Sequence, residues 1–101
     1  MLHTAVSKNM TVIRLTPERW QHISQNHPEL GGYLFDILDC VQNPDEIRNG
    51  SSGELLAVKP LGLDRVLIVA YREGDGNDGF VITAFITKRL QWLEKRMKIW
   101  P

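Results

Sequence analysis

A chain of 101 residues, 43% hydrophobic and 24% charged, with 12 basic and 12 acidic side chains, has the composition of a folded domain rather than a disordered segment. Its length allows one hydrophobic core and excludes a split into two. No apolar run approaches the roughly 20 residues a membrane span requires, and Met1–Met10 lacks the hydrophobic centre of a signal peptide. The single cysteine, Cys40, cannot form an internal disulfide, and its apolar helical surroundings suit a packing residue better than a reactive thiol. A cytoplasmic location is the expectation these features support.

The zero net charge conceals an uneven distribution. Between Glu29 and Glu54 stand six acids (Glu29, Asp36, Asp39, Asp45, Glu46, Glu54) against Arg48 alone. Between Gly79 and Pro101 stand five bases (Lys88, Arg89, Lys95, Arg96, Lys98) against Glu94. Such a dipole can offer a basic face to phosphate, although a solvated helix end accounts for it equally well.

In chain order, Thr11–Leu15 reads as a short strand. Thr16-Pro17-Glu18 then opens a helix, with Thr16 as N-cap, Pro17 at the first helical position and an acid in the first turn. Trp20, Ile23 and His27 share one face of it. Pro28 disfavours helical backbone at His27, so the helix ends there. After Gly31-Gly32, a second helix buries Leu34, Ile37, Leu38 and Val41 and stops at Asn43-Pro44-Asp45.

Four strands follow, Glu46–Arg48, Glu54–Lys59, Arg65–Arg72 and Phe80–Thr87, separated by turn sequences rich in Gly, Asn, Asp and Pro. Val66–Ala70 is apolar on both faces and should be central. A last helix, Lys88 to Trp100, would bury Leu90, Leu93 and Met97 and expose its cations. Helices segregated from consecutive strands give an α+β fold: short helices on one face of a four-stranded, mainly antiparallel sheet, with a basic C-terminal helix.

Most chemical motifs are absent. The glycines at 74, 76 and 79 lie between strands rather than before a helix, no cysteine pair exists for zinc, and His22 and His27 point to different helix faces. What remains is polar residues inside apolar patterns. His27 points inward at a helix end, Thr83 interrupts Phe80–Phe85, and Lys59 and Arg65 flank a turn. Each has an ordinary explanation as well: a satisfied boundary histidine, a β-favouring threonine, cations at a sheet rim. Strand parity puts Arg65, Leu67, Val69 and Tyr71 on one face, and Val81, Thr83, Phe85 and Thr87 on one face. Pairing Val69 with Thr83 would gather Arg65, Tyr71, Thr83 and Thr87; a slip of one residue would set Thr83 beside Ala70 and disperse them.

The pattern Leu15-Thr16-Pro17-Glu18-Arg19-Trp20, Ile23, His27-Pro28-Glu29, then Asn43-Pro44-Asp45 and Phe80-Val81-Ile82-Thr83-Ala84-Phe85, resembles the BECR nuclease-like superfamily. That group contains barnase, EndoU, colicin nucleases and RelE-type toxins, and the likeness is to its small phage and bacterial members over about residues 11 to 89. The resemblance implies one or two helices followed by a four-stranded antiparallel sheet. It implies a toxin-type endoribonuclease that uses neither metal nor cofactor, with RNA as substrate and an antitoxin or immunity protein as partner. Carried over by position, the catalytic set is His27, Lys59, Arg65 and Thr83; Tyr71, Thr87, Lys88 and Arg89 are the expected substrate-binding residues.

The chemistry is coherent. Cleavage through the RNA 2′-hydroxyl needs a base, an acid and cations where charge grows on the phosphorane. An imidazole, with an ordinary pKa of about 6.5, can fill either proton-transfer role. Arginine offers phosphate a fixed fork, and Tyr71 or Trp20 could stack a base. Two rival readings need only surface charge: a non-catalytic nucleic-acid- or protein-binding module on the same fold, and a DNA-contacting partner using Lys88–Lys98.

Overall fold

A computed structural model of the chain describes residues 2–76 and 78–101. The first helix forms as its sequence dictates. Thr16 adopts extended backbone and its hydroxyl accepts a hydrogen bond from Arg19 N at 3.1 Å, capping α1 (Pro17–Asn26). The last helical bond runs from His27 N to Ile23 O, and Pro28 starts a separate 3-10 turn, Pro28–Leu30. In α2 (Leu34–Gln42) the buried stripe is Ile37, Cys40 and Val41. Leu34 and Leu38 pack at its margin.

Among the described residues, seven strands form one mixed sheet: β1 (His3–Val6), β2 (Val12–Leu15), β3 (Glu46–Asn49), β4 (Leu55–Pro60), β5 (Val66–Gly74), β6 (Asp78–Thr87) and β7 (Lys98–Trp100). Their order is β1-β2-β6-β5-β4-β3-β7, so β5 lies in the middle. The consecutive strands β3 to β6 make an antiparallel meander, and β2 joins it in parallel along β6.

Two cores lie on opposite faces of this sheet. The larger is built by Ile13, Leu15, Ala57, Leu67, Val69, Tyr71, Val81 and Ala84 under Ile23, Leu30, Ile37, Cys40 and Val41. Each fully buried aliphatic side chain there contributes roughly 1.5–3 kcal/mol. The smaller consists of Leu56, Val58, Val66, Ile68 and Ala70, sealed by Leu93 from α3 (Leu90–Glu94), with Ile82, Phe85 and Trp92 at its edge.

The expected architecture is therefore corrected in three respects. The sheet has seven strands rather than four, and one of its pairings is parallel. Helices cover both faces rather than one: α1 and α2 on the larger core, α3 on the smaller. The expected helix from Lys88 to Trp100 shrinks to five residues and gives way to β7.

Local chemistry explains each difference. The β1–β2 turn, Ser7–Thr11, contains no glycine; Met10 takes the left-handed conformation instead, with φ 64°, so the usual turn signal is missing. That turn is fixed by the side chain of Glu73, which accepts hydrogen bonds from the Ser7 hydroxyl and from Asn9 Nδ2. At the other edge, β3 captures the chain's end. Arg48 donates to Arg96 O at 2.8 Å, Asn49 N to Met97 O at 2.9 Å, and Lys98 pairs with Glu46 at 3.2 Å. Backbone pairing on an otherwise open strand edge outweighs helix continuation. The two sheet edges also approach each other, with Lys8 Nζ 5.1 Å from the centre of the Trp100 ring.

Candidate functional site

The register between β5 and β6 decides which polar groups meet. Val66 pairs with Thr87, Ile68 with Phe85 and Ala70 with Thr83, but Tyr71 pairs with Val81. Ile82 is thus the extra residue of a β-bulge, which re-aims the chain beyond it. In consequence Thr83, Phe85 and Thr87 face the smaller core with Val66, Ile68 and Ala70, whereas Leu67, Val69 and Tyr71 face the larger one. This is the slipped register, and it disperses the expected cluster.

Four of the expected site residues lie apart from His27. Tyr71 is fully buried in the larger core, its hydroxyl without a hydrogen-bond partner among the described residues and its acidity suppressed by burial. Lys59 Nζ donates to Asp39 Oδ2 at 2.8 Å and to Asn43 O at 3.0 Å, which ties it to the end of α2. That hydrogen bond lowers the Asp39 carboxyl below its ordinary pKa and raises the Lys59 ammonium above its own. Arg65 is exposed in the turn before β5. Thr83 lines a separate small cavity of about 120 Å³ with Gly50, Ser51, Glu54, Phe85, Trp92 and Arg96.

His27 has different company. Alongside β6, β2 extends over Asp78–Phe80, and α1 comes against the strand as well. The end of α1 thereby places the His27 ring 6.3 Å from that of Phe85, tilted by 35°. His27, Phe85, Ile86, Thr87, Arg89 and Trp92 line one open cavity of about 360 Å³. Its size suits a nucleotide-sized group and lies at the lower end of the roughly 300–1,000 Å³ typical of ligand pockets. The side chain of His27 is 35% exposed, and its Nδ1 stands 3.6 Å from Glu29 Oε2. The Thr87 hydroxyl accepts a hydrogen bond from Arg89 N at 3.0 Å, so its proton remains available to donate into the cavity.

A second groove, of about 470 Å³, shares Arg89 and Trp92 and adds Lys88, Gln91 and Lys95. Lys88 also reaches Asp64 at 3.7 Å across exposed surface. Trp92 is the common wall of all three cavities. Its ring meets Phe85 edge-on at 6.0 Å, and the Arg96 guanidinium lies 5.0 Å from its centre. Imidazole, guanidinium, hydroxyl and two aromatic rings thus converge on one surface.

Of the eight residues expected at a site, His27, Thr87 and Arg89 line the main cavity and Lys88 the adjoining groove. Glu29, Phe85 and Trp92 were not among them. Glu29 had a signal in the sequence, since Pro28 forces a turn that brings the next residue back beside His27. Trp92 had none, because its neighbourhood depends on how the chain packs after β6. Among the described residues, no three His, Cys, Asp or Glu side chains gather as a metal site would require, and no helix is long and apolar enough to cross a membrane. Set against family models, curated proteins and solved structures, the chain matches none of them.

Proposed function

We propose that the chain binds single-stranded RNA in the His27–Arg89 cleft and cleaves it through the 2′-hydroxyl without a metal ion. The observation that carries this reading is the convergence of His27, Thr87, Arg89 and Trp92 on one nucleotide-sized cavity bordered by further cations. Trp92 and Phe85 supply faces on which a base can stack, worth about 1–3 kcal/mol per base. Arg89 supplies a planar fork for phosphate, and Lys88 and Lys95 supply point charges along its path.

In the reaction, the 2′-oxygen forms a bond to phosphorus as the bond to the 5′-oxygen breaks. Glu29, 3.6 Å from Nδ1, orients the His27 ring, His27 takes the 2′-hydroxyl proton, and the departing 5′-oxygen takes a proton from water. The products are a 2′,3′-cyclic phosphate and a free 5′-hydroxyl. Arg89 and the Thr87 hydroxyl stabilise the charge that builds on the non-bridging oxygens.

The test is incubation of the purified protein with a mixed RNA pool in EDTA, from pH 5 to 8, beside a His27→Ala control. Cleavage that falls by roughly 10²–10⁴ in the control is the expected result. Binding without cleavage would favour the second reading, a non-catalytic RNA-binding module. The specific observation behind that alternative is that Trp92, Phe85 and Arg89 need no acid–base partner to hold a strand. Neither binding nor cleavage would remove both.

A further inference from the structure

The smaller core covers only part of its face of the sheet. Beyond α3 the same face continues over β6, β2 and β1, where Phe80, Val12 and Val6 remain 43%, 37% and 38% exposed. Phe80 stands on this face because it pairs with Arg72, the residue after inward-pointing Tyr71, and because Val81 next to it belongs to the larger core. Arg14 is its neighbour on the other side, by the register of β2 on β6.

Cations accompany this apolar strip. Arg72 donates one guanidinium nitrogen to Ser52 O at 3.0 Å, a contact that leaves its other nitrogens available on this face. Arg14 pairs with Asp78, and Arg96 stacks on Trp92 beside Thr83. Two carboxylates share the surface, Asp78 and Glu54. The first is engaged by Arg14, and the second accepts a hydrogen bond from Ser52 N within its own turn. Along β6, then, Phe80, Thr83, Phe85 and Thr87 form a line that ends at the His27 cleft, with Arg72, Arg96 and Arg89 spaced beside it.

We infer that this line is a track for single-stranded RNA leading into the cleft, with Phe80 as a distal stacking platform. The inference rests on the RNA reading above and extends it from one nucleotide pocket to an extended substrate. Phe80 and Phe85 lie opposite Arg72 and Ile68, four residues apart on β5 because of the bulge, which is about 13 Å at roughly 3.3 Å per residue. A chain that stacks on Trp92 and Phe85 must continue for several nucleotides to reach Phe80. Aromatic rings on a small sheet, each stacking one base while arginines take the phosphates, are a general means of holding a single strand without reading its sequence. The arginines spaced along the rings supply the charge complementarity that a phosphate backbone needs.

The experiment uses 2′-O-methyl RNA, which cannot undergo the cleavage step, in lengths of three and seven nucleotides. Binding is measured by fluorescence anisotropy for the wild type, Phe80→Ala, Phe80→Tyr and Arg89→Ala. Phe80→Ala is expected to weaken binding of the heptamer by roughly 5- to 100-fold and to leave the trimer unchanged. Phe80→Tyr, which keeps the ring, restores the heptamer affinity, and an unchanged denaturation midpoint in each variant separates binding from folding. If the heptamer binds, Arg89→Ala abolishes binding and Phe80→Ala does nothing, the track is overturned while the cleft stands. If the wild type binds neither length, the cleft reading fails and the track falls with it.

Discussion

The two faces of the sheet carry different kinds of residue. The core beneath α1 and α2 is built of apolar side chains and Tyr71, whose hydroxyl has no hydrogen-bond partner among the described residues. Burial there also pushes the Cys40 thiol up to about 12, which leaves it a packing group rather than a nucleophile. The opposite face is covered by a helix of five residues, and its Thr87, Arg89 and Trp92 meet His27, from the end of α1, in an open cavity. The contrast teaches that stability and chemistry are assigned to separate sides: a deep core fixes the strands, and a thin one leaves polar side chains at its border.

That contrast can be broken by comparing deletions on the two sides. Leu67→Ala, in the deep core, should cost about 2–5 kcal/mol, whereas Leu93→Ala, at the thin core, should lie near the lower limit, about 2 kcal/mol. Urea denaturation measures both, and a larger loss for Leu93 would mean that α3 is the structural centre. The next effect is on activity. Tyr71→Phe should leave RNA binding and cleavage unchanged because the phenol faces away from the cleft, and an anisotropy titration that shows weakened binding would contradict the division of faces.

A smaller effect concerns the edge where β7 replaces the expected helix. Arg48, and then Lys98, hold the Glu46 carboxyl below its ordinary pKa. A carboxyl whose folded pKa is depressed adds stability that is present above its unfolded pKa, near 4.5, and lost as pH falls through the folded value. Stability should therefore decline on acidification below about pH 4.5, and Glu46→Gln should flatten that decline while costing about 1 kcal/mol at neutral pH. The smallest effect belongs to Lys59. Its ion pair with Asp39 is largely solvent-exposed, so Lys59→Ala should change the midpoint by less than about 1 kcal/mol and leave RNA cleavage intact.

Much of the backbone was legible from local chemistry. Thr16 and Pro17 start α1, Pro28 ends it, Asn43-Pro44 ends α2, and the strands of the meander lie close to their apolar runs. β1 and β7 were not, since strands of four and three residues take their stability from pairing with distant neighbours, and Met10 hides the turn between β1 and β2. At the site, the inward phase of His27 and the basic run at Lys88-Arg89 could be read from spacing. The bulge at Ile82 could not, and a single extra residue there moved Thr83 away from Val69 and Tyr71. The ion pair of Lys59 was hidden for a related reason: its partner, Asp39, is 20 residues away and meets it only in the folded chain.

Two arginines offer the most direct trial of the account. Arg89 lines the cavity that holds His27, whereas Arg65 is an exposed turn residue that the sequence alone favoured. Equilibrium binding of a single-stranded 2′-O-methyl RNA should fall by roughly 10- to 100-fold in Arg89→Ala and stay within about twofold of wild type in Arg65→Ala. The reverse order, with Arg65→Ala losing affinity and Arg89→Ala keeping it, would contradict the placement of the functional surface around His27 and Trp92.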